Sequence, residues 1–200
     1  MRKVVFQETG YVHDRIPFKV YNELLTCLNL NDINSKLFFN HNLAGNIERS
    51  LDVTGLIPTS FYNFLALLAN NYYGEFNLER KTLDKKFEFI KTWVNYQKKY
   101  EFNPLHVHEG SLSYVVWIKI PYDVDEELSN PNSINSNAPS NSLFSFVDNN
   151  TVHALHVDKD MEGEIIMFKS SLAHQVYPFY TSDEYRISLA GNLHTHWVDK

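Results

Sequence analysis

The chain has 200 residues, 44% of them hydrophobic and 14% aromatic, which is enough to bury a substantial core and suits one domain better than two. Its 18 Lys and Arg against 24 Asp and Glu leave a formal net charge of −6, so the basic footprint that phosphate neutralisation demands is missing and nucleic acid is a poor partner. The longest apolar run, FLALLA from Phe64 to Ala69, falls far short of the roughly 20 residues of a membrane span, and MRKVVFQETG has neither a signal-peptide core nor a cleavage site.

In chain order, Pro17 to Asn29 places Val20, Leu24, Leu25 and Leu28 at helical spacing. Cys27, the only cysteine, falls in this helix and is expected to be a small buried apolar residue; with no internal disulfide available, a reducing, cytoplasmic setting is expected. NLAGNIERSLDVTGLIP, with Gly45 and Gly55, reads as an ordered connection to a second helix at Ile57 to Tyr73, which opens on Pro58, Thr59 and Ser60. A polar helix or loop is expected around Glu79 to Lys86.

From Lys86 the pattern changes to short β-branched and aromatic runs: KFEFIKTWVNY, SLSYVVWIKI, LFSFV, VHALHV, EIIMF, HQVYPFY and EYRISLAGNL. Helices followed by seven strands predict an α+β, mainly β fold of sandwich, jelly-roll or barrel type. Residues 1–85 would pack on a core formed by 86–200. Tyr122 to Ser142, with five asparagines, five serines and two prolines, reads as one long flexible loop, either mobile surface or a lid.

The chemistry begins at Phe102 to Pro121, FNPLHVHEGSLSYVVWIKIP. In an extended chain His106 and His108 point the same way and Val107 the other, so two imidazoles can meet one metal ion. His174, at the junction between the turn KSSLA and the next strand, is the natural third ligand. Beyond it, Arg186, Ser188, Ala190 and Asn192 share a strand face that is polar and small, the floor of a cavity for an anion that a guanidinium and a hydroxyl would bind. His194 and His196 repeat the HxH spacing but read as surface residues of a terminal tail, and His153 and His156, an odd number apart, cannot share a strand face.

The order of HVH, a Gly163-strand-turn-His174 unit and then R-x-S at Arg186 and Ser188 resembles the 2-oxoglutarate- and Fe(II)-dependent oxygenases, in particular the small ones found in phage genomes. NLAGNIE (Asn42–Glu48) and WVN (Trp93–Asn95) are similar to features of that group. The resemblance implies a double-stranded β-helix, a jelly-roll, cupin-like barrel with N-terminal buttressing helices. It further implies Fe(II) on His106 and His174, 2-oxoglutarate and O2 as cosubstrates, and Arg186 with Ser188 on the distal carboxylate of 2-oxoglutarate.

At the remaining ligand position most of the superfamily has Asp or Glu, whereas this chain has His108. A three-histidine iron site, recruitment of Glu109 and a degenerate non-catalytic site all stay open, with strand alternation favouring His108. Metallo-β-lactamase and cupin patterns fit worse, since neither continues as HVHEGS does. A three-histidine zinc hydrolase and a non-catalytic jelly-roll or virion-associated module are the alternatives. The substrate, small molecule or protein, is not legible; no membrane partner is expected, a homodimer is compatible, and the setting would be host cytoplasm for a phage-encoded chain.

Overall fold

Side chains of a β-strand alternate between two faces, so a strand that is apolar on both must be covered on both. EIIMFK and LSYVVWIK satisfy that description, and they lie at the centre of the computed structural model, which describes residues 1–6, 9–30, 38–131 and 133–200. In chain order the elements are β1 (Arg2–Val5), β2 (Gly10–Arg15), α1 (Phe18–Leu28), β3 (Arg49–Asp52), α2 (Thr59–Glu75), β4 (Leu83–Gln97) and β5 (Asn103–His106). They continue with β6 (Leu112–Lys119), α3 (Val124–Ser129), β7 (Phe144–Asp148), β8 (Thr151–Leu155), β9 (Glu164–Lys169), β10 (Ala173–Val176) and β11 (Arg186–Asp199).

A seven-stranded sheet runs β1-β2-β9-β6-β11-β4-β3 and a four-stranded sheet runs β5-β10-β7-β8, with antiparallel pairing throughout both. One face of the large sheet carries Val94, Tyr114, Val116, Ile165, Met167 and Leu189, which pack in one cluster with Leu24, Leu28, Phe61, Leu65, Leu68 and Tyr72 of the two long helices. The other face turns Trp117, Ile166 and Phe168 towards Phe144 and Phe146 of the small sheet. Ile165 and Met167 thus serve the helical layer while Ile166 and Phe168 serve the inter-sheet core. Side chains such as Phe61 and Leu65, at 0% exposure, each contribute roughly 1.5–3 kcal/mol by burial. Two facing antiparallel sheets with helices on the outer face of the larger one form the expected mainly β jelly roll.

In α2 the buried positions Phe61, Leu65, Leu68, Ala69 and Tyr72 recur at helical spacing, so the predicted stripe is the one that packs. Several expectations need correction. The N-terminal segment, read only for targeting signals, forms the hairpin β1–β2, whose second strand pairs with β9 and so extends the large sheet. The connection before α2 holds β3, paired with β4. His194 and His196 belong to the 14-residue strand β11, which pairs with β4 along its length; both are exposed, and His196 Nε2 lies 2.8 Å from Glu88. Cys27 is exposed, because the buried stripe of α1 is confined to Leu24 and Leu28. Among the described residues, no helix is long and apolar enough to cross a membrane.

The 122–142 segment is not one plain loop. It contains α3, capped by the Asp123 carboxylate, which accepts from the backbone N–H of Asp125 at 2.9 Å and of Glu126 at 3.4 Å. Glu127, at 0% exposure, accepts from Tyr180 N–H, Thr181 N–H and the Thr181 hydroxyl at 2.7–3.0 Å, tying α3 to the stretch ahead of β11. Its own carbonyl accepts from Asn141 Nδ2 and Ser133 Oγ. Replacing Glu127 by Ala removes a buried acceptor and leaves two backbone N–H groups unpaired. Equilibrium urea unfolding should register a loss of about 2–4 kcal/mol.

Candidate active site

The site is assembled between the two sheets. Leu105, Val107 and Glu109 are exposed while His106 and His108 turn inward, so the alternation expected of HVHEG persists past the end of β5. Gly110, at φ +102, then reverses the chain into β6, and a Cβ there would stand 2.9 Å from the Leu193 carbonyl oxygen. On the neighbouring strand, His174 is directly paired with His106 across the antiparallel ladder. Ring centroids of His106, His108 and His174 lie 4.3–5.0 Å apart, and one ligand atom from each lies within 4.8 Å of the others.

The chemistry of the hydrogen-bond partners fixes two of these rings. His106 Nδ1 lies 2.7 Å from the Pro104 carbonyl and His174 Nδ1 lies 3.0 Å from the Leu172 carbonyl. A carbonyl can only accept, so each Nδ1 carries the proton and each Nε2 keeps its lone pair for another partner. His108 is held by its backbone N–H to the Ser170 carbonyl at 2.9 Å and by Trp93, whose ring centroid is 5.5 Å away. Burial lowers all three imidazole pKa values, with His108 pushed down to about 4 and His174 to about 3; the neighbouring imidazoles add to it for those two. The cluster is neutral at pH 7, as imidazole metal ligands must be.

These rings open onto a cavity of about 250 Å³. Register places its walls: Arg186, Ser188 and Ala190 of β11 stand opposite Gln97, Asn95 and Trp93 of β4. Alternate residues Val94, Tyr96 and Leu189 go to the helical core. A further wall is Asn42 to Gly45 with Ile47, pinned to the β5 side by reciprocal backbone bonds between Asn46 and Phe102. Gly45 sits against Asn103 so closely that a Cβ would fall 1.9 Å from Asn103 Oδ1.

Arg186 is 3% exposed and makes no ion pair among the described residues, and no Asp or Glu described lines the cavity. Its guanidinium is held by neutral acceptors instead. Nε and Nη2 donate to Gln97 Oε1 at 3.1 and 2.7 Å, Nη1 to Tyr122 Oη and the Ser142 carbonyl at 2.9 Å each, and Nη2 to the Tyr177 carbonyl at 2.9 Å. Asn95 is buried, and its Oδ1 accepts from Ser50 Oγ at 2.7 Å.

His106, His108, His174, Arg186 and Ser188 are therefore brought to one cavity. Glu109 is exposed and outside it, as are His194 and His196; His156 is exposed, and His153 stacks on Phe6 at 3.9 Å. Sequence reasoning gave no cavity role to Gln97, Asn95, Tyr122 or the Ser142 and Tyr177 carbonyls, although it singled out WVN as a family-like stretch. The alternation of WVNYQ, polar at Asn95 and Gln97 and apolar at Val94 and Tyr96, was the available signal for the first two.

A jelly roll whose inter-sheet cavity gathers three imidazole lone-pair donors and one uncompensated guanidinium is a candidate metalloenzyme with a place for an organic anion. The profile of the family described as "Putative 2OG-Fe(II) oxygenase" matches residues 91–192, just over half of the chain, and the chain belongs to that family of 2-oxoglutarate- and Fe(II)-dependent dioxygenases. Its enzymes depend on Fe(II), 2-oxoglutarate and O2. No curated protein sequence matches the chain.

Among solved structures, the viral collagen prolyl hydroxylase of Paramecium bursaria Chlorella virus-1, in complex with 2-oxoglutarate, aligns with TM-score 0.55 and 11% identity over 94% of this chain and 96% of that one. HygX from Streptomyces hygroscopicus, with nickel, 2-oxoglutarate and hygromycin B bound, aligns with TM-score 0.55 and 11% identity over 94% and 84%. An oxidoreductase of the 2OG-Fe(II) oxygenase family from Burkholderia pseudomallei aligns with TM-score 0.44 and 15% identity over 68% of this chain, which spans 56% of that protein's length. At these identities the first two speak for the fold.

The turn that follows the histidine pair has no room for a side chain. Gly110→Ala should cost about 1–3 kcal/mol in a denaturant titration, through the positive φ and the contact with the Leu193 carbonyl.

Proposed function

We propose that the protein is an Fe(II)- and 2-oxoglutarate-dependent hydroxylase, with His106, His108 and His174 as the metal ligands and Arg186 with Ser188 on the distal carboxylate of 2-oxoglutarate. In the overall reaction one oxygen atom of O2 enters a C–H bond of the substrate, and 2-oxoglutarate leaves as succinate and CO2. The observation that carries this reading is the single cavity lined by three clustered imidazoles and a buried arginine without a carboxylate partner among the described residues.

The residues suit the group they would hold. Neutral imidazoles with Nδ1–H tied to backbone carbonyls offer Nε2 in fixed directions, and a cluster of three leaves further coordination positions for co-substrate and oxygen. When bound, Fe(II) supplies the oxygen-activating redox chemistry. The chain supplies ligands, an anion clamp and a chamber whose walls combine Trp93, Trp117 and Phe144 with the polar Asn95, Gln97 and Ser188. His108 is favoured over Glu109 because Glu109 faces solvent. Three neutral ligands leave the metal one unit more positive than the usual two-histidine, one-carboxylate set, and weaker retention of Fe(II) is expected.

The substrate class stays broad. One neighbour is named as a collagen prolyl hydroxylase and another was solved with hygromycin B, so a protein side chain and a small molecule both fit the reading.

Anaerobic addition of Fe(II) and then 2-oxoglutarate should raise a visible metal-to-ligand charge-transfer band, and its absence from folded protein would count against catalysis. His174→Ala should abolish stoichiometric iron binding, measured after desalting. Arg186→Ala should retain iron yet raise the 2-oxoglutarate concentration needed for the band by about 10–100-fold, the loss of a charge-assisted pair of hydrogen bonds. An unchanged requirement would remove Arg186 from the clamp.

A further inference from the structure

Arg186 has no N–H group to spare. A guanidinium carries five N–H donors in a planar fork, and the five bonds to Gln97, Tyr122, Ser142 and Tyr177 account for all of them. A carboxylate can therefore reach this arginine only by exchange with an acceptor already in place.

Three of those acceptors are poor candidates for exchange. The carbonyls of Ser142 and Tyr177 belong to backbone that is stapled locally, with Ser142 N–H donating to the Pro178 carbonyl at 2.7 Å and Tyr177 N–H to the Leu143 carbonyl at 2.8 Å. Tyr122 is 2% exposed, packs on Phe179 at 5.0 Å between ring centroids and lies outside the cavity lining.

Gln97 is nearly as buried, at 4% exposure, but differs in where it stands and what it holds. It is a side chain, it lines the cavity, and its Oε1 takes both Nε and Nη2, the edge of the guanidinium that a carboxylate engages side-on. Its orientation is fixed by chemistry, because Arg186 can only donate and the Glu101 carbonyl, 2.6 Å from Nε2, can only accept.

Resting on the function proposed above, we propose that Gln97 is a displaceable stand-in for the carboxylate of the co-substrate. Its amide oxygen keeps the buried guanidinium hydrogen-bonded until the dicarboxylate arrives, and then swings off the Nε/Nη2 edge. Two consequences follow from exchange as opposed to simple addition. Affinity for 2-oxoglutarate is the difference between a charged and a neutral acceptor on the same donors, and a carboxylate placed permanently at position 97 does not yield.

The test uses anaerobic Fe(II)-loaded protein with 2-oxoglutarate as the probe, read by thermal melting and by titration of the charge-transfer band. Gln97→Glu should bind iron like the parent but need at least about tenfold more 2-oxoglutarate. Gln97→Leu, which deprives two buried N–H groups of their acceptor, should melt lower than the parent without 2-oxoglutarate and gain more from adding it, since the carboxylate restores the missing acceptor. Gln97→Glu keeps an acceptor on the guanidinium, so it decides the matter if the leucine variant fails to fold. Parent-like 2-oxoglutarate affinity in Gln97→Glu overturns the stand-in while leaving the clamp intact. So does a smaller 2-oxoglutarate gain in Gln97→Leu with unchanged ligand-free melting. A parent protein that binds iron but ignores 2-oxoglutarate removes clamp and stand-in together.

Discussion

Covering both faces of the central sheet is the constraint on which the site depends. In β4, β9 and β11 each residue turned to the inter-sheet space has neighbours in the chain turned to the helices, and one-residue alternation makes the two assignments inseparable. Val94 and Tyr96 anchored in the helical core mean that Trp93, Asn95 and Gln97 face the cavity; Leu189 anchored there means that Ser188 and Ala190 do. A slip of one residue in either register would trade a polar cavity wall for an apolar one. The precision of the site is borrowed from the packing of α1 and α2 on the far side of the sheet.

The second organising feature is a cation buried among dipoles. Stripping water from a guanidinium is costly unless every N–H finds an acceptor, and here the acceptors come from β4, from both ends of the 122–142 segment and from the stretch after β10. Neutral acceptors satisfy the hydrogen bonds and leave the charge uncompensated. That combination holds the arginine still while preserving its attraction for an anion, whereas an internal carboxylate would have satisfied both demands and closed the site.

Local pattern made part of this legible. Alternation alone put His106 and His108 on one side and Glu109 on the other, and the small polar face of β11 marked Arg186 and Ser188 as cavity residues. The direct pairing of His174 with His106 rests on two strands distant in sequence, and no periodicity reports it. The partners of Arg186 were equally hidden, being spread over four regions, two of them contributing only backbone carbonyls that any residue possesses. The hairpin β1–β2 takes its second partner from β9, so its short, polar-interrupted sequence reads as a strand only once the sheet exists. Cys27 was misplaced because helical spacing defines a stripe but not its width, and in α1 that stripe is narrow. Composition identified 122–142 as polar, yet two acidic side chains, a cap at Asp123 and a buried anchor at Glu127, organise its first half.

That anchoring separates the segment into parts with different evolutionary freedom. Tyr122 and Ser142 hold the arginine and Glu127 secures α3, whereas Ile134 lies 62% exposed on the far side of these ties. Lengthening the chain between 134 and 139 would add little closure entropy, about 0.6 kcal/mol for each doubling of a flexible loop, because the ends are already clamped by contacts that the insertion does not touch. The crest of this segment is where the molecule can acquire new surface without disturbing its chemistry.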